Sequence, residues 1–413
     1  MASLLRALLG SFLRTGTDAF LRLAPLRGHV HKRGTSWCWV LDVGHGPVSG
    51  ERRLRTKSGF ATKKEAESAV CEMIGTVEAG TYVSTTGVSV GEYLAEWIET
   101  TSFHGRTQVR ASTRHGYNNG VKRLTKQIGG VKLQALTPLQ VESCYGRIMK
   151  AGGKTGGPLA PKTVKGCHIV LHRALSDAER LGLVPRNVAH VARSPAVERK
   201  EAATWSAEEL AAFLQSVEDD RLYAAYVVLA TTGMRRGELF GLRWSDLDLD
   251  RGRLSIAQSL LNIDSTLVIE PTKTNRSRRS VALDPGTVDV LRAHRRRQAE
   301  ERLAFGAQWN GSYNLVFCKP DGTPEHPDMF SRRFKQNVKA AGLPALRGPH
   351  NLRHTWATLA LKAGVHPKIV SDRLGHATIA VTIDTYSHVT PSMDADAADL
   401  VAASIFGAGK VAK

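Results

Sequence analysis

At 413 residues the chain is longer than one compact core usually supports, so two or three domains are expected. Hydrophobic residues make up 42%, which excludes a chain disordered throughout, and no apolar run is long enough to span a bilayer. The 57 Lys and Arg residues outnumber the 38 Asp and Glu residues and give a formal net charge of +19, which favours a polyanionic partner such as nucleic acid.

The five cysteines are scattered and form no C-x-x-C pair. This spacing indicates neither a disulfide framework nor a cysteine zinc site, so a reduced, cytoplasmic protein is expected.

Residues 1–28 are a Leu- and Arg-rich extension to which we assign no function. Residues 29–82 predict a small β-sheet followed by a helix, because apolar residues alternate along SWCWVLDVG and Thr62 and Glu65 form a capping box. The strand ERRLRTKSG either lies along phosphates or is a solvated edge strand, and both interpretations stay open. Its candidates for DNA contact are Arg52, Arg53, Arg55 and Lys57.

Residues 88–192 predict a helical domain, in which S-V-G-E is a second capping box and Pro138 opens a later helix. A helix from about Lys162 to Leu181 has a basic side, on which Lys162 and Lys165 are candidates for DNA contact. The segment 193–204 is charged and lacks periodic apolar residues, so we interpret it as a linker.

Residues 205–406 predict a mainly helical domain with a small three-stranded antiparallel sheet. Ser206 and Glu209 form a third capping box, and the strands are RLSIAQSL, TLVIEPTK and RSVALDP. The whole chain is therefore expected to be an α+β multidomain protein.

The stretch TTGMRRGELFGLRWSDLDLD places Arg235 and Glu238 three residues apart at the start of a helix, on one face. Arg235 either holds an anion or belongs to an ordinary surface ion pair. The predicted hairpin tip EPTKTNRSRRSVAL carries Lys273, which reaches a DNA groove or a leaving group, or is simply solvated. Further candidates for DNA contact on this tip are Arg276, Arg278 and Arg279.

In GPHNLRHTWATLALKAG a helix begins after Pro349 and places His350 and Arg353 on one face. The spacing of His350 and His354 resembles the zinc motif H-E-x-x-H, but Asn351 occupies the position where Glu must act as a base. A metalloprotease is therefore not expected.

In DRLGHATIAVTIDTYSHV a short helix ends at Gly375, His376 lies in the turn, and Tyr386 follows on the next helix. A single helical tyrosine is more often structural than catalytic. The combination matters more: two arginines, a lysine, two histidines and a tyrosine suit metal-free attack of a hydroxyl on a phosphodiester. Free tyrosine has a pKa of ~10, so cationic neighbours or a base would be needed to activate it.

The order T-G-x-R-x-x-E, a hairpin lysine, H-x-x-R, L-G-H and a final DTYSHV resembles the tyrosine recombinases, the phage-integrase group. The resemblance covers roughly residues 29–406 and is most specific in the C-terminal domain. It implies that Tyr386 is the nucleophile, forming a 3′-phosphotyrosyl bond, and that Glu238 supports the site. It gives the other catalytic roles, for phosphate binding and proton transfer, to Arg235, Arg353, His376, Lys273 and His350.

The same resemblance implies roles for the remaining domains and for partners. Residues 88–192 resemble the core-binding domain that closes over DNA, and residues 29–82 resemble a domain that binds arm-type sites. The expected partner is double-stranded DNA at attachment sites, bound by a homotetramer on two DNA sites in the bacterial nucleoid. No cofactor, metal or membrane is expected, and accessory DNA-bending or directionality factors are compatible with this scheme.

One departure from the family is Asn351, where Asp is frequent, and we expect it to change hydrogen bonding around the site without abolishing activity. Two other functions stay open: a type IB topoisomerase-like enzyme and a DNA-binding protein without chemistry. A metal-dependent nuclease lacks the carboxylate cluster that it would need. The C-terminal tail either packs on its own domain or docks on a neighbouring protomer.

Overall fold

The structure is a computed structural model, and it describes residues 28–45, 52–78, 83, 86–100, 109–153, 155–198, 201–272, 278–386, 399 and 401–405. Only the backbone is described at positions 44, 45, 52, 53, 384 and 386. The N-terminal extension up to residue 27 and most of the C-terminal tail lie outside the described residues. The chain divides into two compact units, Met1–Glu198 and Arg199–Lys413. None of the helices in the described ranges is long and apolar enough to cross a membrane.

The described part of the first unit starts with a three-stranded antiparallel sheet on which one helix packs. The elements are β1 (Gly28–Arg33), β2 (Ser36–His45), β3 (Arg52–Phe60) and α1 (Lys63–Glu78), and β2 is the central strand. Trp39 and Leu41 alternate on one face of β2 and pack in one core with Ala66 and Val70 of α1. The alternation along SWCWVLDVG therefore predicted this half-buried strand correctly.

The rest of the first unit is helical. Its helices are α2 (Val90–Thr100), α3 (Ala111–Ile128), α4 (Pro138–Ala151), α5 (Pro161–Arg180) and α6 (Val188–Val191). Two aromatic residues of α2 tie it to α5: the Tyr93 hydroxyl donates to the Ala174 carbonyl at 2.6 Å, and Trp97 Nε1 donates to Asp177 Oδ2 at 2.9 Å. Buried aromatic rings thus keep their polar atoms hydrogen-bonded.

The second unit is mainly helical. Its helices are α7 (Ala207–Ser216), α8 (Tyr223–Thr232), α9 (Arg236–Phe240), α10 (Pro285–Phe305), α11 (Pro327–Ala340), α12 (His350–Lys362), α13 (Pro367–Leu374) and α14 (Ile379–Tyr386). Its strands are β4 (Leu247–Asp248), β5 (Arg253–Ile256), β6 (Gln258–Ile263), β7 (Thr266–Pro271) and β8 (Arg279–Ala282). A cluster of aromatic rings fills the core, including Phe213, Tyr226, Phe330 and Phe334.

The strands of the second unit differ from the expected single sheet. β5 pairs with β4 and β8 in a three-stranded antiparallel sheet, whereas β6 pairs with β7 in a separate hairpin. The segment predicted as one strand, RLSIAQSL, therefore changes partner at Ala257. Leu254, Ile256 and Leu260 keep one period of two across this residue, with only Gln258 polar on that face, so the apolar pattern did not indicate the change.

Capping boxes start helices in both units, as the sequence predicted. In each pair the backbone N–H of the glutamate donates to the hydroxyl at the helix start, which satisfies an otherwise unpaired donor. The three predicted pairs are Thr62 with Glu65, Ser89 with Glu92 and Ser206 with Glu209.

Candidate active site

The first candidate residue, Arg235, follows a sharp helix end. Helix α8 ends at Gly233, whose φ of +65° lies in the left-handed region that favours glycine. A Cβ at this position would lie 2.8 Å from Leu374 Cδ2, so the glycine also permits close packing against α13. Two residues later Arg235 stands at the N-cap of α9.

Arg235 and Glu238 form an ion pair that is buried on one side and open on the other. The backbone N–H of Arg235 donates to Glu238 Oε2 at 2.8 Å, and its Nη1 donates to Oε1 at 2.7 Å. The Arg235 side chain is 40% exposed, whereas that of Glu238 is 3% exposed. The arrangement is therefore not an ordinary surface pair, because the carboxylate is enclosed behind an accessible cation.

Arg279 occupies a different place from the solvated hairpin tip that the sequence suggested. It begins β8, and its side chain is 7% exposed. Its Nη2 donates to Glu238 Oε2 at 2.9 Å, its Nη1 to Glu238 Oε1 at 3.2 Å, and its Nε to the Arg373 carbonyl at 2.6 Å. Arg279 therefore belongs to the interior of the site and is not placed to contact DNA directly.

The environment of Glu238 keeps it ionised. Burial alone would raise its pKa, but the hydrogen bonds and charge of Arg279, together with the charge of Arg235, lower it below its usual value. One carboxylate thus faces two guanidinium groups, and the three side chains keep an excess of positive charge.

Arg353 is the second arginine of the expected catalytic set, and helix α12 places it in the interior at 3% exposure. Its Nη1 donates to the Gly233 carbonyl at 2.9 Å. Its neighbour Asn351 is turned away from the site, because its Nδ2 donates to the carbonyl of Ala203 at 2.8 Å. The departure at this position therefore concerns the segment leading into the second unit.

Three consecutive backbone carbonyls at the end of α13 hold the three arginines together. We call residues 373–375 the carbonyl turn; it ends at Gly375, which has a φ of +66°. The bonds are Arg279 Nε to the Arg373 carbonyl at 2.6 Å, Arg353 Nη2 to the Leu374 carbonyl at 2.7 Å and Arg235 Nη2 to the Gly375 carbonyl at 3.3 Å. A helix C-terminus is the negative end of the helix dipole, so it suits guanidinium groups. We call Arg235, Glu238, Arg279 and Arg353 the arginine cluster.

His376 follows the carbonyl turn directly. Its Nδ1 lies 2.7 Å from the Thr382 hydroxyl, which is fully buried on α14. When Nδ1 accepts this proton, Nε2 carries the hydrogen and can donate to an anion. Burial, and next the charges of Arg353 and Arg235, lower the pKa of His376 to about 4, so the imidazole is neutral at pH 7.

His350 stands at the start of α12, where it remains accessible to solvent. Its ring meets that of His354 edge-to-face, with centroids 5.0 Å apart. Partial loss of hydration, and next the charges of His354 and Arg353, lower its pKa. A neutral imidazole at this position can accept a proton.

Two expected catalytic residues, Tyr386 and Lys273, are not placed by these contacts. Tyr386 is the last residue of α14, but its side chain lies outside the described residues, as does Lys273. The candidate for DNA contact Arg276 also lies outside them. The structure therefore brings together Arg235, Glu238, Arg353 and His376 from the expected set and adds Arg279. Arg279 lies 41 positions from Glu238, so no local spacing pointed to this contact.

The expected DNA contacts outside the site are partly described. Lys162 and Lys165 are exposed on α5, and Arg278 is exposed just before β8. On β3, Lys57 is exposed with its Nζ 5.6 Å from the centre of the Phe60 ring, and Arg55 is half-buried. The side chains of Arg52 and Arg53 fall in the part of the chain that is not described.

A cavity in the second unit lies apart from the candidate residues. A cavity of about 630 Å³ lies beside Trp244 and Arg295, and no member of the arginine cluster lines it. Within the described ranges, no group of three or more His, Cys, Asp or Glu side chains could hold a metal ion. The arginine cluster is therefore the strongest candidate site: it concentrates positive charge on an accessible surface, as a phosphate group requires.

Two family models match the chain. The model of the phage integrase family matches residues 204–393, and that of an arm DNA-binding domain matches residues 29–77. Together they cover more than half of the chain. The first match includes every residue of the arginine cluster.

The chain is similar in sequence to recombinases and integrases and similar in fold to solved integrase structures. A tyrosine recombinase XerC-like protein of Caldanaerobacter subterraneus subsp. tengcongensis is 26% identical over 358 residues, covering 82% of this chain and 89% of that protein. The ICEBs1 integrase of Bacillus subtilis is 24% identical, with 87% and 96% covered. The fold is similar to the Tn1549 transposon integrase in complex with transposon right end DNA, with a TM-score of 0.62 and 22% identity over 76% of this chain and 98% of that one. It is also similar to a lambda integrase dimer bound to a core site, with a TM-score of 0.53 and 16% identity over 86% and 94%.

These matches agree with the order of motifs in the sequence and with the cluster that the structure assembles from them. The chain belongs to the tyrosine recombinase family, the phage-integrase group.

Proposed function

We propose that this integrase cuts and rejoins DNA strands at specific sites through a 3′-phosphotyrosyl intermediate on Tyr386, using neither a metal ion nor ATP. The observation that carries the proposal is the arginine cluster on the carbonyl turn, one residue before His376 and one short helix before Tyr386. An excess of fixed positive charge beside a hydroxyl nucleophile is what attack on a phosphodiester needs.

In this mechanism the arginines stabilise the charge that builds on the phosphate. Arg235 is accessible and can donate to the non-bridging oxygens, while Arg353, fixed by two carbonyl bonds, adds its positive charge to the same site. His376 donates from Nε2 to the same phosphate. Because the two arginines are already fixed by backbone carbonyls, little reorganisation is needed at the moment of reaction.

The covalent step exchanges one ester for another. The Tyr386 oxygen attacks phosphorus and forms a bond to it, the phosphorus–O5′ bond breaks, and the 5′-oxygen leaves with a proton from Lys273. His350 accepts the proton of the tyrosine. When a new 5′-hydroxyl attacks, Lys273 takes the proton of that hydroxyl, the phosphorus–tyrosine bond breaks, and His350 returns a proton to the tyrosine oxygen. Since each strand keeps its phosphodiester energy in the phosphotyrosyl bond, no nucleotide is consumed.

The partners that we propose follow from the same chemistry and from related structures. The Tn1549 integrase is described in complex with transposon DNA, and a lambda integrase tetramer is described bound to a Holliday junction. We propose double-stranded attachment sites as the substrate and a homotetramer on two such sites as the active form. Accessory DNA-bending or directionality factors and a location at the bacterial nucleoid are part of the proposal.

Each domain has a separate role in this reaction. Residues 205–406 form the catalytic domain, residues 88–192 bind the core site, and residues 29–82 bind arm-type DNA, with 193–204 as the linker. The match of residues 29–77 to an arm DNA-binding domain supports the last assignment. The exposed Lys162 and Lys165 on α5 support the second, because lysines on one helix face can follow a phosphate backbone.

The test uses supercoiled plasmid carrying the DNA that flanks this gene in its source genome. The protein is incubated with it in chelator, the reaction is stopped with SDS, and protein covalently bound to DNA is quantified beside Tyr386→Phe. We expect an adduct with the parent protein and none with the variant, while both bind the DNA equally.

The other outcomes separate the alternatives. Relaxation of plasmids that lack any target site would favour a type IB topoisomerase-like enzyme. Loss of DNA binding in Tyr386→Phe, with no adduct in the parent on DNA that it binds, would favour a DNA-binding protein without chemistry. An adduct that appears only after a divalent metal is added would contradict metal-free catalysis.

A further inference from the structure

Arg279 is an enclosed cation beside an accessible one. The side chains of Arg279 and Glu238 are 7% and 3% exposed, whereas Arg235 is 40% exposed on the same carboxylate. Arg279 therefore cannot take part in DNA binding as a surface contact. Its contacts point inward, to Glu238 and to the Arg373 carbonyl.

The two arginines share the oxygens of Glu238 evenly. Oε1 accepts from Arg235 Nη1 at 2.7 Å and from Arg279 Nη1 at 3.2 Å. Oε2 accepts from the Arg235 backbone N–H at 2.8 Å and from Arg279 Nη2 at 2.9 Å. With Arg279 present, the three side chains carry one net positive charge. Without it, Glu238 would cancel the charge of Arg235.

The position of this charge matters because the carboxylate is buried. Water reaches Arg235 but not Glu238, so their attraction is screened less than that of a pair exposed on both sides. A guanidinium fully compensated by its carboxylate attracts a phosphate poorly. The second guanidinium therefore decides whether Arg235 is available to an anion.

We propose that Arg279 is a positioning residue that neutralises Glu238, so that the charge of Arg235 remains available to the scissile phosphate. Through its bond to the Arg373 carbonyl it also fixes the carbonyl turn, to which Arg235 and Arg353 are bonded. This inference rests on the proposed function, since it assigns Arg279 a part in the same reaction.

The chain offers a matched control for Arg279 in the same unit. Arg221 also donates two bonds to one glutamate, Glu301, at 2.6 Å each, and one to a backbone carbonyl, that of Cys318, at 2.8 Å. None of these partners belongs to the arginine cluster. Arg221→Gln removes the same kinds of bond as Arg279→Gln without changing the charge beside Arg235.

The experiment measures the single-turnover rate of adduct formation on plasmid DNA that the full-length protein is shown to bind. The variants are Arg279→Gln, Arg221→Gln and the double variant Arg279→Gln/Glu238→Gln. We expect Arg279→Gln to slow the reaction by about tenfold, less than the roughly 10²–10³-fold of a group that contacts the transition state. The double variant restores the net charge and should recover at least about threefold of this loss, as expected for paired charges. Arg221→Gln should keep the parental rate.

The restored net charge of the double variant distinguishes this role of Arg279 from a purely structural one. Removing a second side chain from a site whose packing is already damaged would slow the reaction further, whereas removing the uncompensated carboxylate should accelerate it. A double variant no faster than Arg279→Gln would therefore overturn the inference, as would a parental rate in Arg279→Gln.

Folding and function are separated in the same series. Arg279→Gln could lose its cooperative unfolding transition, and the double variant then tests the proposal, because it leaves no buried carboxylate without a partner. A rate of adduct formation within about tenfold of the parent supports the proposal, and a lower rate overturns it. If the parent forms no adduct on DNA that it binds, the proposed function fails and this inference falls with it. If the parent reacts and Arg279→Gln reacts equally well, this inference alone fails.

Discussion

Two clusters in the second unit each combine arginines with one glutamate, yet they expose their charge differently. In the arginine cluster, Glu238 is 3% exposed and lies behind Arg235, which is 40% exposed. In the second cluster, which we call the Glu301 cluster (Arg221, His294, Arg297 and Glu301), Arg221 and Glu301 are enclosed to similar extents, at 22% and 19%. An arginine is available to a ligand when its counterion is buried behind it, and less so when both are enclosed together.

The clusters also differ in what holds the arginines. Those of the arginine cluster bond to carbonyls at the ends of two helices that stop at glycines, Gly233 and Gly375. In the Glu301 cluster, Arg297 bonds to the Arg221 carbonyl and to His294 Nδ1, and His294 Nε2 donates to the Val316 carbonyl. The first arrangement orients cations toward one surface, while the second ties helix α10 to neighbouring segments.

The largest difference between the clusters should appear when one arginine in each becomes lysine. Lysine keeps the charge, but its single ammonium group lacks the planar fork that spans the Gly233 and Leu374 carbonyls, so Arg353→Lys should slow adduct formation by about 10²–10³-fold. Arg221→Lys should lower the thermal unfolding midpoint and leave the rate within about twofold of the parent, since its partners lie outside the site. Single-turnover adduct formation and thermal unfolding measure the two effects. Equal loss of rate in both variants would show that the clusters are not functionally distinct.

A smaller effect should follow from replacing Gly233, the glycine at the end of α8, with alanine. Alanine at Gly233 must adopt a φ of +65° and would place its Cβ 2.8 Å from Leu374 and 3.0 Å from Trp356. Gly342 has the same φ of +65° with nothing within 4 Å, so Gly342→Ala isolates the backbone cost of about 1 kcal/mol. We expect Gly233→Ala to cost a further ~1–3 kcal/mol of unfolding free energy from overpacking, and to slow adduct formation by moving the carbonyl that Arg353 uses. Identical unfolding midpoints and rates for the two variants would contradict this account.

Local signals in the sequence predicted much of this site. The helix end at Gly375 and the placement of His350 and Arg353 near the start of one helix follow from residue type and spacing alone, because they depend on neighbours within one or two turns. The role of Arg279 could not be found in this way. Its partner Glu238 is 41 positions away, and the contact forms only when β8 packs beside α9.

The same limit explains the strand that was predicted as one and is two. Alternation of apolar residues records which face of a strand is buried, but not which strand lies beside it. At Ala257 the chain leaves the sheet of β5 for the hairpin of β6 and β7, while Leu254, Ile256 and Leu260 keep the same period on either side of Gln258. Residue roles that depend on family resemblance, such as those of Lys273 and Tyr386, stay predictions until the adduct is measured.

The smallest effect concerns His294, the buried histidine of the Glu301 cluster, whose pKa is lowered. Burial lowers the pKa of His294 to about 4, although its bond to the Val316 carbonyl acts in the opposite direction. The unfolded chain, with a histidine pKa of about 6.5, then binds more protons than the folded chain between these values. The free energy of unfolding is therefore unaffected above about pH 6.5 and falls as the pH drops toward 4, by up to about 1.4 kcal/mol per pH unit for this one group. His294→Gln removes the titrating group, so we expect a flatter dependence of the unfolding midpoint on pH and an unchanged rate of adduct formation at pH 7.5. A change in that rate with no change in the pH dependence would mean that the Glu301 cluster acts on the chemistry, and the contrast between the clusters would have to be given up.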